Sequence, residues 1–484
     1  MTFEITPVGG WNHLIQASRL ILTQDRAAPV LIWGHDDPDG ITATAILLKS
    51  IGRIFQRAEY YIPPRHTLHH GLNPEIIDGY AASGFGLLLT VDCGISNYQE
   101  VARAREHGLT VIVTDHHELP PNLPPAQAIV NPKMEDEGRP YPDLAGCGVA
   151  LYLAAALSEA QGLTSALDDP QSLAWAALGT VADRVPLKHD NRLLTIRGLE
   201  HLAAEDWVGK AFRLAGFDPG LGICPDILRE TAIPLLSATE SRGREHEGLD
   251  LCSGRLSAER LADLWQRVSN RRQELEKQEA VLWPRLDSRA DYHLIMEPEL
   301  KWQDIGALAG RLRDATSKPV IILGKKGNFW VGEARSFLPL DLVDLLHSLS
   351  HLFIQYGGHK QAAGFTLAPG REDEFLKQTA VEMAKRKDLM PPPKPAEPDY
   401  HVPDLPTLLS LRKELEARFP LGPGNPEPRA AIDALGLPPE AGHLRGKWLE
   451  LERLLPSLIP DGGPATALLD ITHSGRMLIK ILAE

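Results

Sequence analysis

Between residues near 30 and 130, short apolar runs alternate with stretches of helical period. The runs are Pro29 to Trp33, Glu59 to Ile62, Leu87 to Val91, Thr110 to Val113 and Ala128 to Val130. This alternation predicts parallel strands joined by crossover helices, an α/β doubly wound sheet. Residues near 144 to 282 read as mostly helical. Within them, Ser257 to Leu282 carries a long charged periodicity (Leu261, Leu264, Val268, Leu275) and predicts an extended connecting helix. A second α/β unit follows, with strands at Tyr292 to Met296, Val320 to Leu323 and Asn328 to Val331 and a helix at Ile305 to Ala315. The proline-rich stretch Pro391-Pro392-Pro393-Lys394-Pro395-Ala396-Glu397-Pro398 breaks the pattern and reads as an extended, semi-rigid linker. From about 400 to 484, one helical stretch (Leu405 to Phe419) precedes short apolar runs, which suits a small β-rich domain.

With 484 residues the chain is too long for one core, and about three domains are expected. Hydrophobic residues make up 43%, enough for globular domains. No apolar run approaches the roughly 18 residues of a membrane span. The start of the sequence lacks the pattern of a secretory leader. The four cysteines (Cys93, Cys147, Cys224, Cys252) are scattered, so neither a zinc site nor a disulfide framework is expected, and a reducing cytoplasm is. A net charge of −14 argues against a general nucleic-acid coat, although an enzyme with a local basic groove is compatible with it.

Four acidic sites change the picture. They read as lying at or just after strand ends: His35, Asp37 and Asp39 after Val30-Leu31-Ile32-Trp33; Asp92 after Leu87 to Val91; Asp115-His116-His117 after Val111 to Thr114; and Asp183 in Gly179-Thr180-Val181-Ala182-Asp183. Ligands bind outside the carboxyl ends of strands in an open parallel sheet, so separate loops can bring all four sites to one crevice. Crowded carboxylates repel unless a cation holds them. A mixed imidazole and carboxylate set without thiolate suits Mn²⁺ or Mg²⁺ better than structural zinc. With Asp92 central, one carboxylate can bridge two ions about 3.5–4 Å apart. The plainer reading of any one such aspartate is a helix cap or turn former. Asp36 can be a bystander, and Asp115 either a cap or the acceptor that orients a neighbouring histidine.

These motifs, in this order, resemble those of the DHH phosphoesterase superfamily. The resemblance narrows to RecJ-type single-strand exonucleases through Ile129-Val130-Asn131-Pro132-Lys133, Leu144-Ala145-Gly146-Cys147-Gly148-Val149-Ala150, and Ala182-Asp183-Arg184-Val185-Pro186-Leu187 followed by Asn191-Arg192. Gly357-Gly358-His359-Lys360-Gln361-Ala362-Ala363-Gly364 resembles the substrate loop of the DHH-associated domain, and Phe419 to Pro428 the entry to an OB-fold domain. The resemblance implies a DHH domain at 1–200, a helical connector at 201–288, a DHH-associated substrate-binding domain at 289–390, and a linker with an OB-like nucleic-acid-binding domain at 391–484. It implies His35, Asp37, Asp39, Asp92, His116 and Asp183 as ligands of two Mn²⁺ or Mg²⁺ ions. It places His117 against the scissile phosphate, with Asp115 and Asp92 in the catalytic set. It gives substrate contacts to Arg65, Arg335, Ser336, Gly357, Gly358 and His359.

The activity implied is hydrolysis of single-stranded DNA, 5′ to 3′, in repair or recombination, with a helicase or single-strand-binding protein as partner. Two departures stand out. His35 occupies a position held by Asp in most bacterial members, and the His form resembles archaeal relatives and other DHH branches. Glu333 stands where a Ser usually joins the following Arg in holding a 5′-phosphate, and the Arg expected to close an upstream phosphate motif is absent at Ser241, with Arg242 and Arg244 close by. The departures keep open degradation of short RNA oligonucleotides or a cyclic dinucleotide. A third reading is a non-catalytic relative that only binds single strands. The C-terminal aromatics Tyr400, Phe419 and Trp448 are few, so base stacking there would be sparse.

Overall fold

A computed structural model of the chain describes residues 5–64, 71–202, 206–242, 245–390, 398–433, 449–451, 465–472 and 476–482. Five strands, β1 (Val30–Trp33), β2 (Ala58–Tyr61), β3 (Leu87–Val91), β4 (Thr110–Thr114) and β5 (Ala128–Val130), form a parallel sheet in the order β2-β1-β3-β4-β5. The central strands β1 and β3 are buried along their whole length, which is why they read as unbroken apolar runs rather than alternating ones. After β1 the chain turns to one side to lay down β2 and then crosses to the other for β3. The topological switch point therefore lies between the carboxyl ends of β1 and β3.

Three helices flank this point. Pro38–Ile51 packs on Gly146–Glu159 and Pro170–Asp183, and all three are buried on most of their surface. Pro170–Asp183 corrects one expectation. Asp183 ends a helix, not a strand: Asp169 caps the amino end by accepting the Ser172 N–H, Pro170 occupies the first turn, and Arg184 closes the other end in the left-handed region. Its run of Ala and Val is apolar on every face because the helix is buried, and that removed the periodicity that would have marked it.

The chain divides into two compact units, one of residues 1–266 and 398–484, the other of 267–397. The helix Ala258–Leu282 begins in the first and ends in the second. In the first unit, a C-terminal sheet runs in the order Tyr400–Val402, Arg429–Ile432, Ala465–Ile471, Met477–Ile481, Leu449–Glu450. It is tied to the earlier helices by the Leu187 N–H to Pro423 O bond (2.8 Å) and by Arg192, which donates to Phe419 O (2.6 Å). The helix expected at Leu405 to Phe419 is two, Leu405–Ser410 and Arg412–Arg418. The Ser410 hydroxyl donates to Thr407 O (2.6 Å) where the first helix ends, and Phe419 turns extended before Pro420.

The second unit is a five-stranded sheet ordered Phe353–His359, Ala362–Leu367, Phe329–Arg335, Val320–Lys326, His293–Lys301. Only the last pair is parallel. Alternate residues face opposite cores: Ile321 and Leu323 pack with Phe365 and Phe375, Val320 and Ile322 with Ile305, Leu308 and Leu312. The first strand runs past the expected Met296 to Lys301. As an edge strand it accommodates Pro298, which had looked like its end.

Candidate metal centre

At the carboxyl end of β1, Asp37 caps the helix Pro38–Ile51 by accepting the Gly40 N–H through Oδ1 (2.8 Å), while its Oδ2 lies 3.2 Å from His35 Nδ1. Asp39, in the first helical turn, is buried. Its oxygens accept the N–H groups of Gly146 (2.8 Å) and Cys147 (2.9 Å) at the start of the helix Gly146–Glu159. The positive end of one helix thus fixes a carboxylate carried by another.

At the end of β3, Asp92 adopts φ 56°, an uncommon conformation for a residue with a side chain. The Thr90 hydroxyl donates to Cys93 O (2.8 Å) across this turn. Asp92 is buried, and neither of its carboxylate oxygens accepts a hydrogen bond from the described residues. Oδ2 faces His35 Nδ1 at 3.7 Å, and Oδ1 faces His116 Nε2 at 3.1 Å. Gly146 permits this: a Cβ there would stand 2.5 Å from Asp92 Oδ1.

At the end of β4, Asp115 is fully engaged by donors. It accepts from Ile95 N (2.9 Å), His116 N (2.7 Å) and His117 N (3.1 Å), and its Oδ1 lies 2.7 Å from His117 Nδ1. That contact leaves His117 Nε2 directed away from the anchor, in the orientation a second-sphere carboxylate imposes. His116 Nε2 reaches Asp183 Oδ2 at 3.7 Å and Asp39 Oδ2 at 3.9 Å. Among the groups of ligand atoms that lie within 4.8 Å of one another are His35, Asp37 and Asp92, and Asp39, His116 and Asp183. Asp92 turns one oxygen to each.

The electrostatics are those of an overcrowded pocket. Burial, reinforced by Asp37 and Asp39, raises the Asp92 carboxyl well above the usual range. Burial and Asp183 push Asp39 up to about 6, and burial and Asp37 do the same for Asp183. Burial would lower His35, but the Asp37 carboxylate outweighs it and pushes the ring up to about 9. Burial beside His117 takes His116 down to about 4, which leaves it neutral and able to ligate. Four carboxylates, of which Asp92 has both oxygens without a hydrogen-bond donor, interleaved with two imidazoles, fit a pair of hard divalent cations.

Two residues had a larger part here than their motif alone revealed. The Asn131 side chain donates to His117 O (3.0 Å), and Lys133 Nζ donates to His116 O (2.7 Å). Both follow β5, so the strand-end rule that found the aspartates would also have found them.

The model of the DHH family, N-terminal domain, matches residues 29–180, and that of the DHHA1 domain matches residues 291–385. The chain is 33% identical over 421 residues to the single-stranded-DNA-specific exonuclease RecJ of Thermus thermophilus, covering 86% of this chain and 60% of that protein. It is 32% identical over 406 residues to RecJ of Dickeya dadantii, covering 77% of this chain and 69% of that one. It belongs to the RecJ family. A solved Thermus thermophilus RecJ in complex with Mn²⁺ matches with a TM-score of 0.74 at 25% identity, over 100% of this chain and 72% of that one. Exonuclease RecJ bound to manganese matches with a TM-score of 0.59 at 30% identity, over 80% and 97%. The chain spans 60% of the Thermus thermophilus RecJ and 45% of the Bacillus subtilis RecJ.

The substrate residues expected from the RecJ resemblance divide between the second unit and positions outside the described residues. Arg335, Ser336, Gly357, Gly358 and His359 belong to the second unit, and Arg65 and Arg244 lie outside the described residues. Gly357 and Gly358 are in an edge strand, not a loop, paired with Gly364 and Ala363; Gly358 takes φ 135°, where a Cβ would meet Ala362 O at 2.4 Å. The Ser336 hydroxyl is buried and donates to Leu340 O (3.1 Å). Arg335 donates to Glu333 Oε2 (2.8 Å), so the departure at Glu333 supplies the arginine with its own carboxylate. The Ser241 hydroxyl donates to Ile62 O (3.2 Å). In the C-terminal region Phe419 is buried, the Tyr400 hydroxyl donates to Glu414 (2.5 Å), and Trp448 lies outside the described residues.

Proposed function

We propose that this RecJ-family chain hydrolyses phosphodiester bonds of single-stranded DNA with two Mn²⁺ or Mg²⁺ ions, releasing nucleotides from the 5′ end, in repair or recombination. The observation that carries this reading is Asp92: a buried carboxylate without hydrogen-bond donors that turns one oxygen to His35 and the other to His116. The names of the relatives, single-stranded-DNA-specific exonucleases, and the manganese in two solved RecJ structures support it.

His35, Asp37 and Asp92 would hold one ion, and Asp39, His116, Asp183 and the second oxygen of Asp92 the other. The ions would neutralise the phosphate and lower the pKa of the attacking water. His117, braced by Asp115 through Nδ1, presents Nε2 to the phosphate, where a proton can be held near the leaving oxygen. Gly357, Gly358 and His359 would bind the strand, as would Arg65. Residues 1–200 would be the catalytic domain, 201–288 the connector, 289–390 the substrate-binding domain, and 391–484 a linker and single-strand-binding surface. A helicase or single-strand-binding protein would supply the strand. All four cysteines are free and buried, which suits a reducing cytoplasm; among the described residues no helix is long and apolar enough to cross a membrane.

The test is release of mononucleotides from a 5′-labelled single strand with Mn²⁺. Wild type should release them and Asp92→Asn should not. Equal rates for the two proteins would overturn the reading.

A further inference from the structure

Beside β2 lies a cavity of about 340 Å³, lined by Tyr60, Tyr61 and Tyr80 with Glu75, Ser241 and Glu245. It shares a strand end with the metal centre. The Gly34 N–H donates to Tyr61 O (2.9 Å), and His35 is the next residue. Tyr61 is held from behind by Trp33, with ring centroids 4.6 Å apart, and stands 6.4 Å from Tyr80. The Tyr60 hydroxyl accepts the His246 N–H (2.9 Å) and keeps its own hydrogen to donate. Among the described residues lining the cavity, no Lys or Arg appears.

We propose that this cavity receives a nucleobase of the strand whose phosphate is presented to the metal centre; the inference rests on the phosphodiesterase reading. The chemistry selects this occupant. Phosphate is disfavoured, because the charged groups among the described residues lining the cavity are the carboxylates of Glu75 and Glu245. A nucleobase is flat and uncharged, stacks on tyrosine rings whatever its sequence, and fits the volume. Cytosine, adenine and guanine also carry amine donors for the two carboxylates, and thymine does not. The cavity therefore favours amine-bearing bases next to the cleaved bond.

Gly79 gives the test. It lies on the cavity wall in the helix Pro74–Ala82, and a Cβ there meets nothing within 4 Å. Gly79→Leu should thus set a bulky apolar side chain on the exposed wall of the cavity and obstruct it while favouring the helix, and circular dichroism checks the fold. Two strands are compared, one normal and one with abasic terminal residues, by equilibrium binding in metal-free buffer and by hydrolysis with Mn²⁺. Wild type should bind the normal strand roughly tenfold more tightly than the abasic one. Gly79→Leu should erase that difference and leave abasic binding unchanged. Glu245→Gln should reduce the preference for terminal dC over dT. Equal wild-type binding of the two strands, or a difference that survives Gly79→Leu, overturns the proposal. If wild type hydrolyses neither strand but still prefers the normal one in binding, the phosphodiesterase reading fails and the base cavity stands. If it hydrolyses and binds both equally, the reverse holds.

Discussion

Asp92 and Glu333 are carboxylates at two places expected to handle phosphate, and their surroundings are opposite. Asp92 is buried, and its oxygens face imidazoles without accepting a hydrogen bond. Glu333 is partly exposed and receives the guanidinium of Arg335, two residues along the same strand. The first arrangement is costly as it stands, since a buried charge without donors is strongly disfavoured. The second is complete without any ligand. An unsatisfied set of groups points to something that must still bind, and a satisfied pair points to something that no longer needs to.

The sharpest way to break this contrast is to remove the Asp92 charge. Asp92→Asn should lower Mn²⁺-dependent hydrolysis by on the order of 10³-fold or more. The same change should raise the melting temperature of the metal-free protein by a few degrees at pH 8, because the folded site must keep the raised Asp92 carboxyl protonated where the unfolded chain does not, and Asn has no such titration. Added Mn²⁺ should then stabilise wild type but not the variant. A metal-free variant that melts lower than wild type would mean that Asp92 is held by the protein alone.

Gly146 tests the same carboxylate by position. Its missing Cβ leaves room for Asp92 Oδ1, with which a methyl group would collide at 2.5 Å. Gly146→Ala should keep the fold, since alanine suits the start of a helix, yet displace the carboxylate enough to cost about 100-fold in kcat. Unchanged kcat would show that the site tolerates movement of its central ligand.

Much of this centre was readable before the fold was known, for a specific reason. Strand ends in a parallel sheet are marked by short apolar runs, and His35, Asp92 and His116 each follow one. Asp183 was found as a residue but misplaced, because a helix buried on all sides loses its 3.6-residue period. What could not be read were the Gly146 and Cys147 N–H groups aimed at Asp39 from another helix and the pairing of Arg335 with Glu333, whereas the Asp115 anchor on His117 was among the expected roles of that residue. The two glycines of the second unit looked like a loop because their pairing partners lie across the turn at Lys360-Gln361.

The satisfied half of the comparison predicts a smaller effect. With Glu333 neutralising Arg335, wild type should hydrolyse strands with a 5′-phosphate and a 5′-hydroxyl at similar kcat/KM. Glu333→Ser should free the guanidinium and favour the phosphorylated strand by about tenfold, the scale of one charge-assisted hydrogen bond. A strong 5′-phosphate preference already present in wild type would show that the ion pair opens for the ligand.

A third carboxylate separates a missing cation from a missing proton. Asp470 is completely buried in the C-terminal sheet, and its Oδ2 accepts no hydrogen bond from the described residues. It lies within 4.8 Å of carboxylate oxygens of Asp226 and Glu427, but its surroundings differ from those of Asp92. Among the described residues no imidazole joins the group, Arg229 already pairs with Asp226 and Glu427, and the Cys224 thiol is adjacent. Burial first, then Asp226 and Glu427, raise the Asp470 carboxyl well above the usual range, so in the folded protein it carries a proton where the unfolded chain has lost one. A raised carboxyl of this kind contributes stability that is present below the ordinary carboxylate range and lost as pH rises above it. Asp470→Asn keeps the shape, removes the titration and can donate to the neighbouring carboxylates. It should leave hydrolysis unchanged and raise stability by about 1 kcal/mol, a few degrees in Tm, with a larger gain at pH 8 than at pH 5. A fall in Tm that depends on divalent ions would instead make this cluster a second cation site, and the line between the two kinds of unsatisfied carboxylate would have to be redrawn.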